Sequence, residues 1–338
     1  MIYRVIDLSQ CGPKRLESWS NTVTRRSHLA ERVHTLKLAL DCAMELTSNP
    51  AKLARALAKC VNLKELSVRN TTPGFDQFNM EHRRSIQTWI LNTCKFRLHK
   101  FDNDFFKISM LSQFWSLQSD IRSLALPNYG EKFPCHDDQL PNLISLKVDD
   151  LKTLPEERPL ERIEVFMPFS MLDRLVAVLS QYSPTLTTLN LAQCYFHDAS
   201  QIYAVFTTVA LAVPSLLHFG FIEKPNMYLS TQELDSPIAA LAGFTRLETF
   251  FFHSFRITTF FDQNSGDTYD LCDPGDLEVL GRATMHAGRT LHRATFSHEL
   301  EDDTSHVVCT VTRSGPEEVI QLQVEHPTEF DLSKISMM

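Results

Sequence analysis

Three stretches of this chain hold residues that could do chemistry. His298-Glu-Leu-Glu-Asp302 opens like the zinc-protease helix H-E-x-x-H, in which two imidazoles one helical turn apart hold the metal. Asp302 stands where the second histidine is required, so the sequence reads as a charged loop after a strand. Cys135-His136-Asp137-Asp138 sets a thiol beside a base. Neighbours in an extended chain point to opposite sides, and no oxyanion device accompanies them, so a polar loop leading to Leu140-Pro141 is the better reading. The acidic run Asp262–Asp276 is the best metal candidate. Counted from Asp262, Gly266 falls at position 5 and Asp273 at position 12, whereas a calcium loop needs glycine at 6 and a bidentate glutamate at 12. A solvated insertion fits better. No G-x-S-x-G, G-x-G-x-x-G or phosphate-loop motif occurs, and the chain has only ten glycines with which to build such turns. The expectation is a chain that is not an enzyme and carries no catalytic site, metal or cofactor.

The elements that would position such residues are legible in another pattern. Leu186-Thr-Thr-Leu189-Asn-Leu191-Ala-Gln-Cys194 reads L-x-x-L-x-L-x-x-C, the strand signature of a leucine-rich repeat. Related phrases place the fourth template position at Ile6, Leu36, Leu66, Phe101, Leu124, Leu146, Ile163, Leu189, Phe219, Phe250 and Ala294. The gaps run 30, 30, 35, 23, 22, 17, 26, 30, 31 and 44 residues, mostly at or near the roughly 20–29 residues of such a repeat. The 17-residue gap predicts a return without a full helix, and the 44-residue gap an insertion at 262–276. The Phe101 copy is poor, because Asn103 sits where an apolar side chain belongs.

Segments between the strands carry helical stripes. Leu53, Ala54, Leu57 and Ala58 share one face, with Asn49 as N-cap and Pro50 in the first turn. Met171–Leu179 and Ile202–Ala212 repeat the pattern, the latter apolar enough to be nearly buried. Turns follow at Cys60-Val-Asn62, Leu140-Pro-Asn142, Tyr182-Ser-Pro184 and Val213-Pro214, where the residue before proline is pushed toward extended geometry. The predicted fold class is α/β: a leucine-rich-repeat solenoid of ten to eleven irregular units over 1–300, with parallel strands on the concave face and helices on the convex face. Val307–Val311 and Val319–Val324 alternate around Ser314-Gly315-Pro316 and predict a β-hairpin that caps the array within 301–338.

Composition narrows the function classes. A net charge of −8 argues against a general nucleic-acid binder. No apolar run reaches the length of a membrane span, and Met1–Leu8 lacks the basic and apolar regions of a signal peptide. The eight cysteines are never closer than eighteen residues, which fits neither zinc knuckle nor disulfide cluster. Reduced thiols in a cytoplasmic or nuclear protein, without nucleic-acid or membrane partners, are expected.

Tyr3-Arg-Val-Ile-Asp-Leu8, Leu16-Glu-Ser-Trp19, Arg26-Ser-His-Leu29 and Val33-His-Thr-Leu36-Lys-Leu38 together resemble the fungal, basidiomycete-type F-box-like proteins. Ala54–Asn70 is similar to the same family's order of helix, Asn-Leu turn and strand. The resemblance implies a short helical F-box followed by an irregular leucine-rich-repeat array, and the sequence here begins at the strand after the box. It therefore implies the substrate-receptor part of a ubiquitin-ligase component. A ubiquitin-ligase adaptor is implied as a partner only if an F-box lies upstream. The alternative expectation is a leucine-rich-repeat scaffold with no ubiquitin link.

Side-chain alternation along each strand marks the outward residues. In the first half they are small and polar, as at Thr35, Lys37, Glu65 and Ser67. In the second half they include Arg162, Phe166, Asn190, His218, Ile222, Phe251, His253 and Arg293. Aromatic and apolar groups beside arginine are the material of protein-binding hot spots, so these eight are the candidate surface for a protein partner. A register slip of one residue would bury the aromatics instead.

Overall fold

Strands recur where the leucine template predicts them, and their pairing carries the template into register. The computed structural model describes residues 4–40, 50–70, 94–106, 111–126, 133, 139–156, 158–168, 172–195, 199–223, 233–235, 237–254, 259–261, 268–270, 272–299, 306–314 and 317–325. The chain divides into two units, Met1–Pro155 and Glu156–Met338, each α/β with a mostly parallel sheet.

The first unit contains β1 (Val5–Leu8), β2 (Thr35–Leu40), β3 (Glu65–Asn70), β4 (Lys100–Asn103), β5 (Ser123–Ala125) and β6 (Ser145–Val148), each parallel to the next. Ile6, Leu36, Leu66, Phe101, Leu124 and Leu146 stand opposite one another across that ladder, and all but Ile6 are buried. Asn103, the misfit of the template, is buried yet satisfied. Its Oδ1 accepts from the Phe106 amide at 2.7 Å and its Nδ2 donates to the Phe106 carbonyl at 2.8 Å, so the amide closes a turn where an apolar side chain would leave these groups bare.

Helices α1 (Pro13–Arg25), α2 (Ser27–Ala30), α3 (Pro50–Lys59) and α4 (Ser112–Leu117) return the chain. Pro50 opens α3 as expected, while its proposed cap Asn49 lies outside the described residues. Helix α1 was not anticipated, although Pro13 at its first position and the Leu16–Val23 stripe announce it. It packs on α3, with the Lys52 Nζ 2.8 Å from Glu17 Oε1. The expected short return after β6 is a single 3₁₀ turn, Leu151–Thr153, capped by the Asp150 side chain. Leu140 departs from the extended geometry expected before proline: its φ of 54° is left-handed, which costs roughly 1–2 kcal/mol. Its side chain is buried, and that burial holds the turn.

In the second unit, β7 (Arg162–Pro168), β8 (Thr188–Tyr195), β9 (His218–Glu223), β11 (Thr249–Ser254) and β14 (Arg293–Glu299) form the parallel ladder. Ile163, Leu189, Phe219, Phe250 and Ala294 make its buried column. Strands β15 (His306–Ser314) and β16 (Glu317–Glu325) continue it antiparallel, as the two predicted strands should, while residues 315 and 316 lie outside the described set. A separate small sheet joins β10 (Glu233–Asp235), β12 (Thr259–Phe261) and β13 (Thr268–Asp270).

The helices here are α5 (Leu172–Ser180), α6 (Ala199–Ala212), α7 (Pro237–Ala240) and α8 (Pro274–Ala287). Phe206 of α6 drives into the sheet, 5.1 Å from Phe219, 5.2 Å from Phe221 and 5.7 Å from Phe250 between ring centroids. That wedge explains why phenylalanine replaces leucine in these copies: edge-on ring pairs add about 0.5–1.5 kcal/mol beyond buried area. Helix α6 is largely buried as expected, with Ile202, Val205, Phe206, Val209, Ala210 and Ala212 in the core, though Leu211 is 74% exposed. The 262–276 stretch is not wholly a solvated loop either. It supplies β13 and the first turn of α8, whose N-cap Asp273 accepts from the Gly275 amide at 2.7 Å; residues 262–267 and 271 lie outside the described residues.

One device recurs in both units. In the turn before a strand, Asn62, Asn142, Thr185, Thr245 and Thr290 each donate a side-chain hydrogen bond to a main-chain carbonyl of the preceding turn. The acceptors are Glu31, Ser119, Leu160, Pro214 and Leu247, at 2.8–3.0 Å. These bonds tie successive turns together where the main-chain ladder has not yet begun.

Candidate functional site

The face opposite the buried columns is built from the alternate residues of each strand, so the ladder sets them in cross-strand rows. In the second unit the first row runs Arg162, Thr188, His218, Thr249, Arg293 and Thr312. The second runs Glu164, Asn190, Gly220, Phe251 and Thr295. Beyond it stand Phe166 on β7 and the paired Ile222, His253 and Ser297. The expected alternation holds: Phe250 and Phe252 are buried, and Phe251 between them is half-exposed.

Seven of the eight anticipated residues reach the surface. Arg162 is exposed; Phe166, Asn190, His218, Ile222, Phe251 and Arg293 are half-buried. His253 does not, and that expectation is corrected: it is 1% exposed. Its ring lies parallel to Phe251 with centroids 6.4 Å apart, and its neighbour Ser297 on β14 is buried too. The histidine therefore supports Phe251 from the side instead of facing solvent.

His218 sits at the centre of the first row, its Nδ1 2.7 Å from Thr249 Oγ1. Burial pushes its pKa below the usual histidine value; Glu248 acts against that shift and Arg162 with it. Asn190 lies over Gly220, where a methyl group would run into the asparagine amide. The glycine thus gives the amide a seat between Glu164 and Phe251.

A second constellation was missed by sequence reasoning. At the far ends of β8, β9, β11 and β14, Cys194 pairs with Glu223 and Ser254 with His298, and a side-chain hydrogen bond joins Glu223 to Ser254. All four are buried, and Ser254 Oγ donates to Glu223 Oε2 at 2.8 Å. The leucine template marks Cys194 alone among them, and a bulge in the β8–β9 pairing brings it against Glu223. The thiol's pKa is raised well above its ordinary value by burial and then by Glu223, so Cys194 is not poised as a nucleophile. Burial also raises Cys60 to about 12 and Cys309 to about 11.

The other chemistry candidates come apart. His298 and Glu299 end a strand, not the start of a helix and not the charged loop that was expected, while 300–305 lie outside the described residues. Cys135 and His136 also lie outside them. Among the described residues no group of three or more His, Cys, Asp or Glu could hold a metal ion, and no helix is long and apolar enough to cross a membrane.

The same face of the first unit is self-neutralising. Asp7, Lys37, Ser67, Asp102, Ala125 and Lys147 form one row. Lys37 Nζ lies 3.6 Å from Asp7 Oδ2, and Ser67 Oγ donates to Asp102 at 3.0 Å. No family model matches this sequence, and no curated protein matches it.

Proposed function

We propose that the chain is a non-catalytic protein-recognition module, a leucine-rich-repeat solenoid whose working surface is the face of the second unit holding Arg162, Phe166, Asn190, His218, Ile222, Phe251 and Arg293. One observation carries it: Phe166, Ile222 and Phe251 stay half-exposed on a sheet face whose neighbours Ala192, Thr295 and Ser297 are buried. Apolar side chains in such a setting gain from a partner that removes them from water. The repeat reading is supported by the two template columns in register and by the turn-to-turn side-chain bonds. In it, β15 and β16 are the cap that shields the last repeat. The resemblance to F-box-like proteins extends the proposal to the substrate-receptor part of a ubiquitin-ligase component, acting in the cytoplasm or nucleus; the alternative is a scaffold of the same architecture.

The test uses the immobilised full chain beside Phe251→Ala and Glu65→Ala variants, with captured proteins quantified by mass spectrometry. A partner held by the wild type and Glu65→Ala but released by Phe251→Ala supports the site. Equal retention on all three moves it elsewhere.

A further inference from the structure

Of the residues on the docking face, His218 alone belongs to the type whose charge changes near neutral pH. It is half-buried on β9, on the same side of the strand as Gly220 and Ile222. Phe251 of β11 pairs with Gly220, so the imidazole and the phenyl ring are diagonal neighbours across the two strands. Between His218 and Ile222 the Asn190 amide lies over Gly220. A partner laid on Phe251 and Ile222 therefore also covers the imidazole.

The surroundings favour the neutral ring. In its row His218 stands between Thr188 of β8 and Thr249 of β11. Its Nδ1 lies 2.7 Å from the Thr249 hydroxyl, a neutral group able to donate or accept. Charge reaches it from two sides: exposed Glu248, just ahead of Thr249, and exposed Arg162, two strands away on β7. Glu164 of β7 and Arg293 of β14 stand further out in the rows. Burial outweighs Glu248, and Arg162 acts with burial, so the imidazole titrates below the ordinary histidine value.

We propose that His218 makes docking pH-dependent: the partner binds this face while the imidazole is neutral and leaves as the ring takes up a proton in mild acid. This rests on the protein-recognition reading above. The cause is differential burial. A partner covering Phe251 and Ile222 takes more water from the ring, and burying an imidazolium costs more than burying the neutral form. The complex thus holds the proton more weakly than the free chain. By linkage, affinity is complete above 6.5 and falls as pH drops through the lowered value of the free chain.

The test takes a peptide without His, Asp or Glu, selected at neutral pH from random segments displayed on phage against the immobilised full chain, and lost on Phe251→Ala. Its Kd is measured from neutral pH into mild acid on wild type, His218→Gln and His218→Asn, with circular dichroism at each pH to verify that the chain is folded. Wild type should lose affinity severalfold toward the acid end, by at most about tenfold per pH unit, the limit for one proton. Both variants should give flat profiles, whatever their affinity at neutral pH. No loss in wild type, or an equal loss in the variants, overturns the switch and leaves the docking face standing. Tighter binding in acid that the variants abolish also overturns it, because the ring then docks charged. Failure to select any segment that depends on Phe251 overturns both.

Discussion

Single residues decide whether this face is a surface or a core. Phe251 and Phe250 differ by one position and by one side of the sheet, and alternation told them apart before any coordinates did. His253, two further along, obeys the same alternation and is nevertheless buried, because alternation names the side of the sheet and not what lies against it. His218 gives a pH-dependent prediction. Its folded pKa lies below the ordinary 6.5, so the unfolded chain takes up more protons as pH falls through that value. The stability it contributes is complete above 6.5 and declines below it. Urea unfolding of His218→Gln beside wild type, from neutral pH downward, should show the wild type alone losing ground below 6.5; parallel pH profiles would remove His218 as the cause. The buried pair gives another. Ser254→Ala withdraws a donor from a carboxylate that is 4% exposed, and should cost about 1–3 kcal/mol in denaturant unfolding. A change within error would mean Glu223 is satisfied without it.

At the scale of elements, the strands were the most legible part and the connections the least. Every strand of the two parallel ladders falls on a copy of the leucine template, since its apolar period is the physical requirement for burying one side of a sheet. Helix α1 was overlooked because its stripe is sparse, with Leu16, Ser20 and Val23 as its buried residues. The stretch at 262–276 misled because acidic residues read as solvated, whereas Asp273 caps a helix and Asp276 sits in its first turn, where the helix dipole favours negative charge. The side-chain bonds between turns could have been found from the Asn or Thr that stands just ahead of the template leucine, as Asn62, Asn142, Thr185 and Thr290 do. Each exposed or half-buried bond of this kind should contribute about 0.5–1.5 kcal/mol. Asn62→Ala and Thr185→Val are therefore expected to lower the urea midpoint modestly and by similar amounts, and a loss at only one of them would show that the device is not shared.

For the whole molecule, the sequence pointed to an α/β chain with parallel strands and to a candidate surface in its second half, but not to the buried row of Cys194, Glu223, Ser254 and His298. Cys194 joins that row because a bulge realigns β8 on β9, while Glu223, Ser254 and His298 fall on no position of the leucine template. Leu189→Asp sets an unpaired carboxylate in the buried column of the second unit and should unfold that unit in part or whole. Phe251→Ala should lose little stability. The central claim is that this chain works by presenting Phe166, Ile222 and Phe251 to a protein partner. Hydroxyl-radical footprinting, read residue by residue with and without a captured partner, tests it most directly. The account predicts that these three side chains are oxidised in the free chain and shielded in the complex, while Thr35 and Ser67 of the first unit are unchanged. Phe251 unreactive in the free chain, or as reactive in the complex as outside it, would contradict the account.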